Sequence, residues 1–198
     1  TLTATATLGH STESREFVVT VAERARTAPD TGYAAAYFRS DSDERIYSAA
    51  TTENDFFTFE EVNDGQPVVD NSEDTTGHRD PYILRSHDGD KYYMIATDLC
   101  IGCGTGWDQA QSNGSLKVNV WESADLVHWE RTNGDGNGAI EVNQPEAGMT
   151  WAAEAYWDDE LQSYVLFFAS RLYDDVEHTA GDLHAQMFAV LTRDFVTF

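Results

Sequence analysis

Positive charge is scarce in this chain: 12 Lys and Arg stand against 35 Asp and Glu, a formal net charge of −23 over 198 residues. No basic stripe or cluster relieves that balance. Such a surface repels phosphate backbones and anionic headgroups, so neither nucleic acid nor an anionic membrane surface is expected as a partner. Neutral and cationic ligands remain. Long apolar runs are missing too: no stretch of about 18 apolar residues occurs, so no membrane span is expected. The N-terminus has no charged segment followed by an apolar one, as a secretory signal would, but the chain begins in mid-pattern and the full protein's site of action stays open. Cysteine occurs twice, at Cys100 and Cys103 in "DLCIGCGTGW". One CxxC supplies too few ligands for a structural zinc site, and no second pair completes it. Two thiols in a Gly-rich loop, or a local disulfide, are expected there rather than redox chemistry, because no helix is expected to open at the loop and stabilise a thiolate. Helical periodicity is nearly absent as well; "VAERARTA" is its best instance and reads as linker.

What the chain does have is apolar surface: 41% of its residues are hydrophobic and 12% aromatic, ample for a packed core. That material is organised as a repeat. "TTENDFFTF", "WESADLVHW" and "LTRDFVTF" each place an Asp, then Phe or Leu, then an aromatic residue four positions after the Asp. The acids are Asp55, Asp125 and Asp194, spaced 70 and then 69 residues apart. Upstream of the second closing motif lie "DPYILRS", "KYYMIAT" and "SLKVNVWES"; upstream of the third lie "AEAYWDD", "SYVLFFAS" and "AQMFAVLT". Each run is rich in β-branched and aromatic residues, and polar turns such as "HDGD" and "DDELQ" separate them. The unit is therefore a four-stranded antiparallel meander. One such sheet cannot cover both of its faces, and radial stacking of four-stranded sheets, the β-propeller, is the solution expected. The first repeat, "GYAAAYFRS", "RIYSAATT" and "FFTFEEV", lacks its innermost strand. The expectation is an all-β fold carrying about the first three blades of a propeller, with the rest C-terminal to it.

Residues 1–23 differ in kind. "TLTATATL" and "REFVVTVAE" alternate as strands, "GHSTES" reads as a turn, and the pair looks like the last hairpin of an immunoglobulin-like sandwich; an edge hairpin of the propeller itself is the other reading. Residues 24–31 are then linker, and 32–198 the partial propeller.

Residues opening the innermost strands converge on a propeller's axis, and these carry the candidate chemistry. Asp80, in "HRDPYILRSHDGDKYYMIATD", stands before a proline that fits the start of a strand because no ladder bond is lost there. It either initiates an Asp-Pro turn or aims a carboxylate at the axis. Trp151 and Glu154 of "TWAAEAYW" stand at the matching place one repeat later. Trp151 is either a stacking platform for a sugar ring or core. Asp98, Trp107 and Asp108 flank the cysteine loop, as pocket rim or as plain surface. Tyr92, Tyr93, Trp121, Trp129, Phe167 and Phe168 read as core.

From Gly32 to Phe198 the chain resembles glycoside hydrolase family 43, especially its arabinofuranosidase and xylosidase members. The resemblance is carried by "GHRDPYILRSHDGDKYYMIATDL", "GWDQAQSNGS", "VWESADLVHWER", "AGMTWAAEAYWDDELQSYVLFFASRLY" and "VLTRDFVTF". It implies a five-bladed propeller and inverting hydrolysis by an Asp base, an Asp that orients and tunes, and a Glu acid. The base belongs to the Asp-Pro motif and is here Asp80, with Arg79 beside it expected to favour its ionised form. The other two carboxyls lie in later blades. Glu154 matches the family's Trp-Ala-Pro-Glu/Asp motif and is not the proton donor; Ala153 replaces the usual proline. Implied substrate contacts are Trp151, Glu154, Asp98 and Trp107, implied partners are arabinose- or xylose-containing polysaccharides or oligosaccharides, and the implied setting is extracellular or at the cell surface. No metal ligand or cofactor is assigned within this chain; the family's axial calcium would have its ligands downstream. A non-enzymatic carbohydrate-binding propeller is the alternative.

Overall fold

Short runs of β-branched and aromatic residues, punctuated by polar turns, fold here into strands almost without exception. The computed structural model describes residues 2–8, 11–17, 31–69, 75–133 and 138–198. Strands β1 (Leu2–Leu8) and β2 (Ser11–Phe17) form a separate antiparallel hairpin with Leu8 opposite Ser11. Most of "GHSTES", expected as a turn, is thus paired strand, while the end of the expected second strand and "VAERARTA" lie outside the described residues.

Three antiparallel sheets follow. The first is β3 (Ala34–Tyr37), β4 (Tyr47–Thr51) and β5 (Phe59–Glu61) in that order. The second is the meander β6 (His78–Arg85), β7 (Tyr92–Asp98) and β8 (Lys117–Ser123), with short strands β9 (Glu130–Arg131) and β10 (Ile140–Glu141) both paired to β8. The third is β11 (Trp151–Asp158), β12 (Ser163–Tyr173) and β13 (Gly181–Thr192). The helix α1 (Trp107–Ser112) joins β7 to β8. It was not expected, since six residues are too few for a helical period to show.

Two cores hold the sheets face to face. Tyr93, Ile95, Val118 and Val120 of the second sheet pack against Ala153, Ala155, Tyr164, Leu166 and Phe168 of the third. Met94, Ala96 and Trp121, from the opposite face of the second sheet, pack against Ile46 and Val69. β7 supplies both cores by alternation, which is why "YYMIAT" is apolar or aromatic nearly throughout. Tyr93, Trp121 and Phe168 are core as expected. Trp129 is half-buried against the second cluster. Tyr92 instead receives a bond from Arg85, and Phe167 lies half-buried on the far face of its sheet, opposite Glu154 and Ala189.

The repeat has a physical cause at its corners. Asp55, Asp125 and Asp194 follow the last long strand of each sheet, and each carboxylate accepts from the backbone N–H two residues on: Phe57 at 3.1 Å, Val127 at 2.9 Å and Val196 at 2.9 Å. These are Asx turns. In the second and third, the residue after the Asp has positive φ, 66° at Leu126 and 54° at Phe195. The third corner sends Phe195, fully buried, between Tyr93 and Tyr164. The chain then reaches Phe198 without a fourth strand in that sheet. Among the described residues no helix is long and apolar enough to cross a membrane.

Candidate active site

The start of β6 and the start of β11 share one irregularity. The β6–β7 register shifts between Arg79 and Tyr82, and the β11–β12 register shifts between Trp151 and Glu154. Each bulge contains a non-glycine residue in the left-handed region, Asp80 at φ 48° and Ala152 at φ 50°. An Asp tolerates that conformation better than most residues, and Pro81, having no N–H to offer, sits where the ladder is already interrupted. The bulge therefore turns the Asp80 side chain out of the ladder, and it is exposed. β6 and β11 are packed against one another, so the two bulges are neighbours.

A single hydroxyl joins them. Thr97 Oγ1 on β7 is fully buried; it accepts the Ala152 N–H at 2.8 Å and donates to Asp80 Oδ2 at 3.1 Å. Among the described residues Thr97 is the hydrogen-bond partner of that carboxylate, and Oδ1 is left for a water or a substrate group.

Beside Asp80, Arg79 turns away. Its guanidinium meets Glu44 at 2.8 Å and Asp41 at 2.7 Å, lies 4.5 Å from the Phe38 ring centroid and 5.2 Å from that of Trp107. Arg79 was expected to favour the ionised Asp80; its charge is instead committed to Glu44. That buried carboxylate also accepts the Ile101 and Gly102 N–H groups at 2.8 Å each. Glu44 thus fixes the loop closed by a Cys100–Cys103 disulfide, with Cα atoms 5.3 Å apart.

The aromatic partners meet as well. Trp107, at the first position of α1 and exposed, stands edge to face with Trp151, ring centroids 6.0 Å apart. Trp151 is half-buried, so part of its indole faces outward. Glu154 is exposed beside Tyr82, whose phenol is pushed up first by burial and then by the Glu154 charge. Asp98 is not on a rim. It is buried, accepting from the Thr75 hydroxyl at 2.6 Å and the Ser115 hydroxyl at 2.5 Å, and so it ties loops together. Asp108 lies exposed on α1, and among the described residues no hydrogen bond joins it to Asp80.

Asp80, Trp151, Trp107 and Glu154 thus gather around the two bulges, and Asp98 does not. Sequence reasoning missed Thr97 and Glu44. A threonine in a strand is ordinary, and Glu44 lies in the acidic run "SDSDER", which reads as solvated surface. Among the described residues no three His, Cys, Asp or Glu side chains converge as a cation site would require.

Comparison with known proteins bears on the family and the fold. A family model described as "Probable glycosyl hydrolase domain" matches residues 28–198. An alpha-L-arabinofuranosidase of Bifidobacterium longum subsp. longum is 53% identical over 209 residues; the match takes in 100% of this chain but 20% of that protein. The chain therefore spans about a fifth of the length of its curated relative. Among solved structures, an alpha-L-arabinofuranosidase from Lactobacillus brevis superposes with a TM-score of 0.55 at 11% identity, covering 91% of this chain and 56% of that one. A thermostable family-43 glycoside hydrolase gives 0.55 at 12% identity, covering 81% and 50%. At such identities the two structures attest to the fold alone.

Proposed function

The chain belongs to glycoside hydrolase family 43 and its relatives, and on that premise we propose that it is part of an inverting glycosidase releasing arabinofuranosyl residues from plant polysaccharide. Asp80 is its general base. The observation that carries this is the exposed, positive-φ bulge that holds the Asp80 carboxylate out of the ladder beside a paired indole surface. Strained backbone of that kind, at φ 48°, persists where the surroundings fix it and is frequent at functional sites.

An inverting enzyme needs one carboxylate to deprotonate water on one side of the sugar and a protonated acid on the other, about 6.5–9.5 Å away. Asp80 Oδ1 takes the water proton while the acid protonates the leaving oxygen. Trp151, braced by Trp107, offers the flat surface on which a furanose ring stacks, and Glu154 accepts from its hydroxyls. The acid Glu and the orienting Asp come from strands beyond residue 198, in a five-bladed propeller of which these sheets are the first part. The name borne by the Bifidobacterium relative supports an arabinofuranosyl rather than a xylosyl substrate. The disulfide and a polymeric substrate both suit an extracellular or cell-surface enzyme.

The test is the initial rate of the full-length protein on aryl arabinofuranoside and aryl xyloside. Asp80→Asn leaves folding and sugar binding intact and lowers arabinofuranoside turnover by about 10²- to 10⁴-fold, because an amide cannot accept the proton. Unchanged turnover by Asp80→Asn removes it from the base role. Sugar binding without turnover by the wild type supports the carbohydrate-binding alternative.

A further inference from the structure

Thr97 lies beneath the candidate base, fully buried, and its hydroxyl bonds are constrained in direction. The Ala152 N–H can only donate, so at 2.8 Å it occupies a lone pair of Thr97 Oγ1. The one hydroxyl proton is then available to Asp80 Oδ2, 3.1 Å away, which as a carboxylate can only accept. The chain of bonds runs from the β11 bulge through Thr97 to the β6 bulge, from one sheet to the next. We infer that Thr97 is a positioning residue for the reaction: it orients the Asp80 carboxylate and sets it relative to the sugar platform at Trp151.

The inference rests on Asp80 being the base. Two features make the hydroxyl more than a filler of space. Both bulges hold a residue in the left-handed region, and Ala152, which has no polar side chain to favour that conformation, has its N–H held by the Thr97 hydroxyl. Thr97 is the hydroxyl that bonds to both. In addition, Asp80 is exposed, and an exposed carboxylate rotates unless a partner selects one rotamer; bonding to Oδ2 directs Oδ1 outward, where the attacking water must be. Asp80 and Ala152 are separated by 72 positions in the chain, so this linkage exists in the tertiary structure alone.

The experiment compares Thr97→Val, Thr97→Cys and Thr97→Ser with Asp80→Asn in the full-length protein on aryl arabinofuranoside, reading kcat and KM separately together with melting temperature. Valine keeps the shape and removes the hydroxyl, cysteine offers a weak donor, and serine keeps the donor while losing a methyl group. A lost hydrogen bond to a charged, positioned group lowers kcat by about 10- to 100-fold for Thr97→Val and by less for Thr97→Cys, with KM within about twofold, while Thr97→Ser restores most of kcat. If Thr97→Val fails to fold, the ordering of Cys below Ser in kcat carries the same test. An inactive Asp80→Asn beside Thr97→Val or Thr97→Cys with unchanged kcat overturns the positioning role and leaves the base assignment standing. An active Asp80→Asn overturns both. Loss of kcat in Thr97→Ser equal to that in Thr97→Val, with matching falls in melting temperature, assigns Thr97 to packing and overturns the inference.

Discussion

A buried carboxylate is costly unless every oxygen is occupied, and Glu44 meets that condition with two backbone N–H groups and the Arg79 guanidinium. Gln at position 44 cannot meet it, because its amide NH₂ would face one of the N–H donors and the charge opposite Arg79 would be gone. Glu44→Gln is expected to destabilise by about 3 kcal/mol, near the lower end for breaking a buried pair because Asp41 still accepts from Arg79. Asp41, with a side chain 54% exposed, makes the contrast: Asp41→Asn should cost under about 1 kcal/mol. Urea unfolding midpoints of the two variants decide between them. Gly102 shows how tight the same loop is, since a Cβ there would come within 2.1 Å of the Asp41 carbonyl oxygen. Gly102→Ala must therefore shift backbone, and the same measurement should register it.

At the level of elements, the three corner aspartates act alike. At Asp125 the His128 N–H, then the His128 ring and the Val127 N–H, hold the carboxyl well below the usual range. At Asp55 the Phe57 N–H and the Thr58 hydroxyl lower it. At Asp194 partial burial pushes upward, but the Thr197 and Val196 N–H groups and the Thr197 and Thr192 hydroxyls together outweigh it. A carboxyl depressed in the folded state stabilises it above the unfolded value, about 3.9, and loses that contribution as pH falls through the folded value. Asn keeps an oxygen for the Asx turn but not the charge. Asp125→Asn and Asp194→Asn should therefore unfold more readily than wild type at pH 7, and the gap should close progressively below about pH 4. Denaturant melts at pH 7, 4 and 2.5 test it; a gap independent of pH would place the effect in packing instead.

For the whole molecule, one uncovered surface among the described residues is the outer face of the third sheet. Tyr156, Met187 and Leu191 are 51%, 63% and 46% exposed. The pairing places them on one face with Val165, Phe167 and Ala169, apolar except for Glu154: Tyr156 opposite Val165, Val165 opposite Leu191, Ala169 opposite Met187 and Glu154 opposite Phe167. The second sheet covers both of its faces with neighbours, and in the proposed propeller a further sheet covers this one. Met187→Lys with Leu191→Lys should reduce self-association of the 198-residue chain, measured by light scattering. In the full-length protein the same pair should lower the melting temperature, because both ammonium groups would be buried. Improved or unchanged stability there would mean that no sheet stacks on this face. The isolated chain should also be silent on aryl arabinofuranoside, with two of the three proposed carboxyls absent.

The sequence by itself determined the longer strands, the recurrence of their closing corners and the position of Asp80 and Trp151 at the openings of corresponding strands, although the sheets hold three, five and three strands rather than the four expected of each full repeat. Those properties are local: alternation, turn residues and an Asx corner recur every 70 or 69 residues and need no distant partner to be recognised. Tertiary structure decided which charges are spent on the fold and which are left for chemistry. Asp98 and Glu44 are as acidic in sequence as Asp80, yet packing closes water off from the first two and fills their oxygens with donors from other loops. Arg79 is adjacent to Asp80 in the chain, but the bulge sends the two side chains apart and gives Arg79 to Glu44. Thr97 joins the two bulges because sheets distant in sequence stack, and no pattern within one strand encodes which hydroxyl will lie between them.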